Sequence, residues 1–491
     1  MTNKRTFTKI ISFIILCFAL VLTFALIPIN IFCVNFQEWI MVFFSVLCCC
    51  GLIIYLTVFK TKTVTKIVLP LFFGLAVIVC SFAPYIIPYW NSFTFKNYNG
   101  AVLNYNEVIS YEAAVDDLNT LMNHLKKVHP MFRDGLTEDV KSAYLQALER
   151  LKTADTITVN NLRREIQSVL HPMYDAHTST YNNYPDDKYL KAFPQKNDEG
   201  YRVASINGKS VGQIFEDAKQ YACYETEDWI SIDLASLAAL DFYGFHSPFS
   251  FEWTDGENMI SETYSQEDFV SWNEFLEIRN QYAHGDDKPQ EFVSYEIDEE
   301  KSLAILTLAQ CNYNQTYIDC VRSMFVEVLQ KDIQNVAVDL RGNGGGSSRV
   351  GNEFIKYLPV DHYFDGPYDW RWGFLSFYSN GRTTNGRYKE LMFDGNVYIL
   401  TDRESFSAAK DFAMLIQDNH LGKIVGTPSA NTVNGYGEIA VFYLPNTGML
   451  VQISTKKWYR IDETNTNSYV MPDYPCDSQR VMETLYEVIG Q

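Results

Sequence analysis

Val336-Ala-Val-Asp-Leu340 followed by Arg341-Gly-Asn-Gly-Gly-Gly346 reads as an apolar strand that runs into a glycine-rich turn, with a helix expected near 348–358. The same grammar repeats on both sides. Upstream, a strand at Leu303–Leu308 precedes a helix over 317–331, where Ile318, Val321, Phe325 and Val328 share one face. Downstream, Val397-Tyr-Ile-Leu400 passes through a polar turn into a helix over 406–418, and the strand Lys423-Ile-Val-Gly426 follows. Strands alternating with helices imply crossover units and a mainly parallel sheet, so the fold class is α/β. Ligands of such sheets sit beyond the carboxyl ends of the strands, where the next helix begins.

Two of those strand-to-helix turns carry candidate chemistry. In Asp339-Leu-Arg-Gly-Asn-Gly-Gly-Gly346, glycines let backbone N–H groups face a ligand without a Cβ in the way. Clustered N–H groups before a helix make an anion site, although a tight turn would use the same residues. No Gly-Lys-Ser/Thr follows, which argues against a phosphate loop. The second turn is Thr401-Asp-Arg-Glu-Ser-Phe-Ser-Ala-Ala-Lys410. A serine at a helix start is ordinarily a cap. The same place suits a nucleophile, because the helix dipole and the next N–H stabilise developing negative charge. Such a serine needs a base. Of the eight histidines, His177 in Tyr174-Asp-Ala-His-Thr-Ser179 is the candidate.

The rest of the chain divides by composition. Residues 1–96 hold seven Lys/Arg and the single acid Glu38, whereas the whole 491-residue chain is acidic, with formal net charge −19. Charge-free stretches predict a membrane anchor over 1–95 with three transmembrane helices at about 10–33, 39–59 and 67–89. The flanking lysines and arginine then predict a multi-pass protein of the cell membrane, in contact with the lipid bilayer, with a cytoplasmic N-terminus and an extracellular catalytic domain. Residues 96–180 predict a small helical subdomain, with helices over 106–128, 138–151 and 159–170, ending in the His177 segment. An intermediate region spans 181–300, where Ser205-Ile-Asn-Gly-Lys209 predicts a hairpin turn resembling part of a PDZ module. The α/β core occupies 301–491. The acidic balance argues against nucleic acid as a partner. No CxxC or HExxH occurs, so no metal is expected. The four cysteines after residue 96 leave room for one or two disulfides without pairing them. Nothing in the sequence sets an oligomeric state.

These pieces, in order, resemble the tail-specific, or C-terminal-processing, serine peptidase family, in the branch related to the tricorn core and interphotoreceptor retinoid-binding protein. Val128-His-Pro130, Asp175-Ala-His-Thr178, Ile206-Asn-Gly-Lys209, Asp339-Leu-Arg-Gly-Asn-Gly-Gly345 and Ser407-Ala-Ala409 are similar to its motifs. So are Val425-Gly-Thr-Pro428, Tyr436-Gly-Glu438, Leu444-Pro-Asn-Thr-Gly448 and Pro472-Asp473. The resemblance implies a crotonase/ClpP-like α/β core and a peptidase that uses no cofactor. Its substrates would be peptides or proteins. It implies Ser407 as nucleophile and His177 as general base. The N–H groups of Ala408 and of Gly344 or Gly345 would form the oxyanion hole.

Three positions depart from the family pattern. Thr432 stands where Ser-Lys members carry their lysine, which favours a histidine base. Lys410 replaces the usual glutamate after Ser-Ala-Ala and makes an S-x-x-K spacing. It is an auxiliary candidate, weighed against a solvated surface lysine. The acid that would orient the histidine has no clear match; Thr466 falls near its place, with Glu463 and Asp462 as candidates. These departures keep a second expectation open, a catalytically weak or inactive peptidase-fold receptor for peptides or lipids.

Overall fold

The structure, a computed structural model, describes residues 100–282, 291–372 and 375–490. It begins with three helices. Helix α1 (Tyr111–Val128) is capped by Ser110 and buries Leu118, Leu121, Met122 and Leu125 on one face. The periodicity places this helix, but residues 106–109, expected within it, are not helical. Helix α2 (Glu138–Thr153) follows Thr137, whose side chain makes no capping bond. Helix α3 (Val159–Leu170) begins with a capping box between Thr158 and Asn161.

Among the described residues no helix is long and apolar enough to cross a membrane. The longest, α1, carries Glu112, Asp116, Asp117, Lys126 and Lys127, so it can bury only a stripe. The expectation of three transmembrane helices, of a multi-pass membrane location and of the bilayer as a partner is corrected accordingly. The stretches that prompted it, 10–33, 39–59 and 67–89, lie outside the described residues.

The Asn207-Gly208 turn has positive φ at both residues, 48° and 79°, as a tight hairpin requires. It joins β1 (Arg202–Ile206) to β2 (Lys209–Ser210). With β3 (Phe249–Thr254) and β4 (Met259–Tyr264) they form an antiparallel sheet of order β2-β1-β3-β4, flanked by α4 (Val211–Lys219).

The largest sheet has six strands: β5 (Val293–Asp298), β6 (Leu303–Leu308), β7 (Asn335–Asp339), β10 (Asn396–Thr401), β11 (Lys423–Gly426) and β14 (Tyr474–Pro475), adjacent in that order. Only the β5–β6 pair is antiparallel. Helices α5 (Gln315–Gln330), α6 (Arg349–Ile355) and α7 (Ala408–Asp418) pack with it in one hydrophobic cluster that contains Val338, Phe354, Ile399 and Phe412. Helix α8 (Val481–Ile489) covers Leu303, Leu400 and Val425 in a smaller cluster.

A further sheet joins β8 (Tyr368–Trp372), β9 (Leu375–Ser379), β12 (Tyr436–Tyr443) and β13 (Leu450–Trp458) in the order β9-β8-β13-β12. Ser179–Thr180 adds to β13, with Thr180 opposite Val451 and Ser179 opposite Gln452. Ala440, Val451 and Ile453 share a hydrophobic cluster with α1, α2 and α3. This pairing brings the His177 segment to the α/β body. Cys223, Cys311, Cys320 and Cys476 are free thiols.

Candidate active site

The glycine turn after β7 and the serine turn after β10 are locked together. Asn343 donates its amide to Leu308 O at 2.7 Å and accepts from Gly345 N–H at 2.8 Å; its carbonyl accepts from Phe406 N–H at 3.0 Å. Asp402 accepts from Gly342 N–H at 3.1 Å. Asp339 turns back onto its neighbour, taking Arg341 Nε at 2.9 Å.

Gly345, at φ 99°, lies against the serine turn: a Cβ there would stand 2.7 Å from Ser407 Cβ and 2.8 Å from Phe406 O. Real Cβ atoms do not come so near, so this glycine is required by close approach. Gly346 meets Cys311 O in the same way, at 2.5 Å.

Ser407 precedes α7 with φ 54° and ψ −121°, and its side chain makes no capping hydrogen bond. Simple capping is therefore excluded. Positive φ at a residue with a Cβ is strained and needs support from its surroundings. Asn431 Oδ1 supplies some, accepting Ser407 N–H at 2.9 Å. The hydroxyl projects to His177, whose Nε2 lies 2.9 Å from Ser407 Oγ.

His177 is fixed from several directions. Its N–H donates to Asp175 Oδ1 at 2.9 Å. Thr178 Oγ1 donates to Asp175 Oδ2 at 2.6 Å and accepts Ser454 N–H of β13 at 3.0 Å. Phe406 stacks on the imidazole at 4.8 Å, and Trp229 stacks on Phe406 at 3.8 Å. Burial holds the His177 imidazole below its ordinary range, opposed by the Asp175 charge and assisted by Lys410. A neutral imidazole is the form able to accept a proton.

The Val128-His-Pro motif finds its role beneath this. His129, fully buried, places Nε2 3.0 Å from Asp175 Oδ2. Burial alone would raise the Asp175 carboxyl, but hydrogen bonding and charge from His129, with His177 and Thr178, outweigh it and hold it down to about 2.

The sequence-derived candidates part company here. Gly345 N–H is committed to Asn343, whereas Gly344 N–H and Ala408 N–H belong to neither turn's bonding. Lys410 is neither solvated nor bonded to the serine: it is 3% exposed, and its Nζ pairs with Asp411 Oδ1 at 2.6 Å. Glu463 and Thr466 are exposed and make no hydrogen bond to His177 among the described residues, and Asp462 binds Thr464. Sequence reasoning missed Glu225. Its Oε2 accepts Thr432 N–H at 2.8 Å and Thr432 Oγ1 at 2.6 Å, next to the site.

Among the described residues, Asp175, His177 and Glu225 alone bring ligand-type atoms close enough to hold a cation, within 4.8 Å of one another. Asp175 already receives His177 N–H, Thr178 and His129, and His177 faces Ser407. The set suits the holding of protons better than the holding of a metal.

A serine hydroxyl in contact with an imidazole at a helix start on an α/β sheet is the set of groups a serine-type peptidase uses. Residues 302–476 match the model of peptidase family S41. Over that span the chain is similar to this family of tail-specific serine peptidases. No curated protein matches the sequence. Mature CPAF, solved in complex with lactacystin, is similar in structure, with 12% identity and a TM-score of 0.52 over 77% of this chain and 97% of that one. The photosystem II D1 C-terminal processing protease is 14% identical at a TM-score of 0.43, covering 78% of this chain and 98% of that one. At this identity the likeness to mature CPAF is one of fold alone.

Proposed function

We propose that the protein hydrolyses peptide bonds through an acyl-enzyme on Ser407, with His177 as general base. The observation that carries this reading is the 2.9 Å approach of His177 Nε2 to Ser407 Oγ across 230 residues of sequence.

In the forward step Ser407 Oγ attacks the scissile carbonyl while its proton passes to His177 Nε2. The carbonyl oxygen takes up negative charge that the N–H groups of Gly344 and Ala408 are proposed to stabilise as preorganised donors. The imidazolium then gives its proton to the leaving amine, and the C–N bond breaks. Water, deprotonated by His177, attacks the ester and releases the acid with Ser407 restored. The α7 dipole favours negative charge at its N-terminus throughout. Trp229 and Phe406 hold the imidazole plane by stacking, which supports attack without a search for orientation.

Hydrolysis of a quenched fluorescent peptide tests the proposal. Ser407→Ala and His177→Ala should each lower kcat by 10³-fold or more, roughly the cost of losing a member of such a unit. Equal turnover by either variant would contradict the assignment.

A further inference from the structure

An imidazole that accepts a proton at Nε2 must carry its other proton at Nδ1, and that proton needs an acceptor. His177 Nδ1 is buried and has no hydrogen-bond partner among the described residues. Glu225 Oε1 is likewise buried and without a partner. Two such orphans rarely coexist in a folded interior, and here the unpartnered nitrogen and the unpartnered oxygen belong to side chains of one cluster. Ligand atoms of the two side chains lie within 4.8 Å of each other. Hydrogen bonds of catalytic groups are often long in the free enzyme and tighten on substrate binding.

We propose that Glu225 is the positioning acid of this site, its carboxylate accepting Nδ1–H of His177 and fixing the tautomer that leaves Nε2 free for the Ser407 proton. The inference rests on the peptidase reading above and adds to it a residue from the 181–300 region.

Asp175 is the obvious rival and is less suited. Its Oδ1 stands 3.9 Å from His177 Nδ1, nearer than the Glu225 oxygens yet beyond a hydrogen bond, and is already occupied by the His177 backbone N–H at 2.9 Å. Its Oδ2 is taken by His129 and Thr178. Asp175 therefore supplies negative charge to the imidazole, while Glu225 holds the unused lone pairs.

The chain around Glu225 is built as a strap over the site. Thr226 Oγ1 donates to Ala430 O at 2.6 Å, Asp228 pairs with Arg403, and Trp229 stacks on Phe406. Glu225 itself binds Thr432, and Asn431 between these anchors holds Ser407 N–H. One segment thus ties the base to the loop that sets the nucleophile's backbone.

Charged and titratable groups reach the pair from every side: Asp175, Lys410 and Asp411 act on His177, and Asp175 and Lys410 act on Glu225, whose charge also reaches Tyr436. Burial pushes the Glu225 carboxyl up to about 7; Asp175 adds to the rise, and Thr432 and Lys410 oppose it. Above that pH the carboxylate is present to receive Nδ1–H and to face the imidazolium formed when Ser407 gives up its proton. Below it, Glu225 is protonated and loses that role. Activity should therefore fall as pH drops through about 7, while His177 is still neutral.

The test is the pH profile of kcat/KM for peptide hydrolysis by the full-length chain. Glu225→Gln should lower the plateau by about 10²–10⁴-fold, leave KM within about threefold, and move the acid limb to lower pH, where His177 alone titrates. Glu225→Asp should retain the limb near neutrality with a smaller loss of rate. A Glu225→Gln enzyme with the wild-type limb and rate overturns the proposal. If Glu225→Gln does not fold, the Nδ1–H proton resonance of His177 in histidine-labelled wild type decides. A hydrogen-bonded proton whose shift titrates near pH 7 supports the role, and a pH-invariant or exchange-lost proton refutes it. The two readings fail separately: wild type that no fluorophosphonate labels removes the reaction, whereas labelled Ser407 beside an indifferent Glu225 removes only the strap's part in it.

Discussion

Ser407 pays for its reach with backbone strain, and the neighbours that hold it leave no slack. Gly345→Ala would drive a Cβ to 2.7 Å from Ser407 Cβ at a φ that side chains avoid. We expect destabilisation of about 1–3 kcal/mol and loss of fluorophosphonate labelling, read by thermal melting and labelling rate. Glu225 makes the opposite case. Its folded pKa of about 7 lies above its ordinary 4.5, so its contribution to stability is complete below about pH 4.5 and is lost as pH rises through 7. Glu225→Gln should then be more stable than wild type at pH 8, by up to about 3 kcal/mol, with the advantage gone at pH 4.5. Urea unfolding at both pH values checks this; a variant less stable at pH 8 would show that the ionised Glu225 is not penalised by burial. Asp175 has the reverse sign. Held down to about 2 from its ordinary 3.8, it stabilises the fold above about pH 4 and loses that contribution as pH falls through 2. His129→Ala should raise the pH of acid unfolding, because it removes the bond that depresses Asp175.

The strands and helices of the α/β body were readable because each is a local pattern. Leu303–Leu308 and Lys423–Gly426 fall where the apolar runs place them, and α7 starts at Ala408, two residues inside the expected helix. The β8–β9–β13–β12 sheet was not readable as a sheet. Its key pairing joins Thr180 to Val451, and no local periodicity encodes a contact of that separation. Glu225 escaped for a related reason: an acid in an aromatic-rich loop looks solvated until tertiary packing buries it. Glu463, a candidate because it lies near Thr466, stands exposed in a turn that Arg460 organises. Arg460 is buried against Asp418, with Nε at 3.1 Å and a second nitrogen at 2.8 Å, and it also binds the carbonyls of Asn467 and Tyr469. Asp418→Ala would leave a buried guanidinium unpaired and should cost about 3–5 kcal/mol, with the 460–470 turn losing amide-exchange protection. Unchanged exchange there would mean that other contacts hold the turn.

Nucleophile and base come from different hydrophobic bodies. Ser407 heads a helix packed in the cluster of Val338, Phe354 and Phe412, while the His177 segment follows α3, packed in the cluster of Leu118, Ile166 and Val451. The span that matches the family, 302–476, contains Ser407 and lacks His177, His129, Asp175 and Glu225. A fragment confined to 291–490 should therefore be inactive, and β13 would lose its partners Ser179–Thr180 and the apolar cover of α1. Expression of both forms, with activity and solubility compared, checks this dependence. The most direct trial of the account as a whole is mass-spectrometric mapping of a fluorophosphonate adduct on the described portion of the chain. The account predicts one adduct, on Ser407, formed quickly in wild type, slowed by about 10³-fold or more in His177→Ala and absent in Ser407→Ala. An adduct elsewhere, or labelling indifferent to His177, would contradict it.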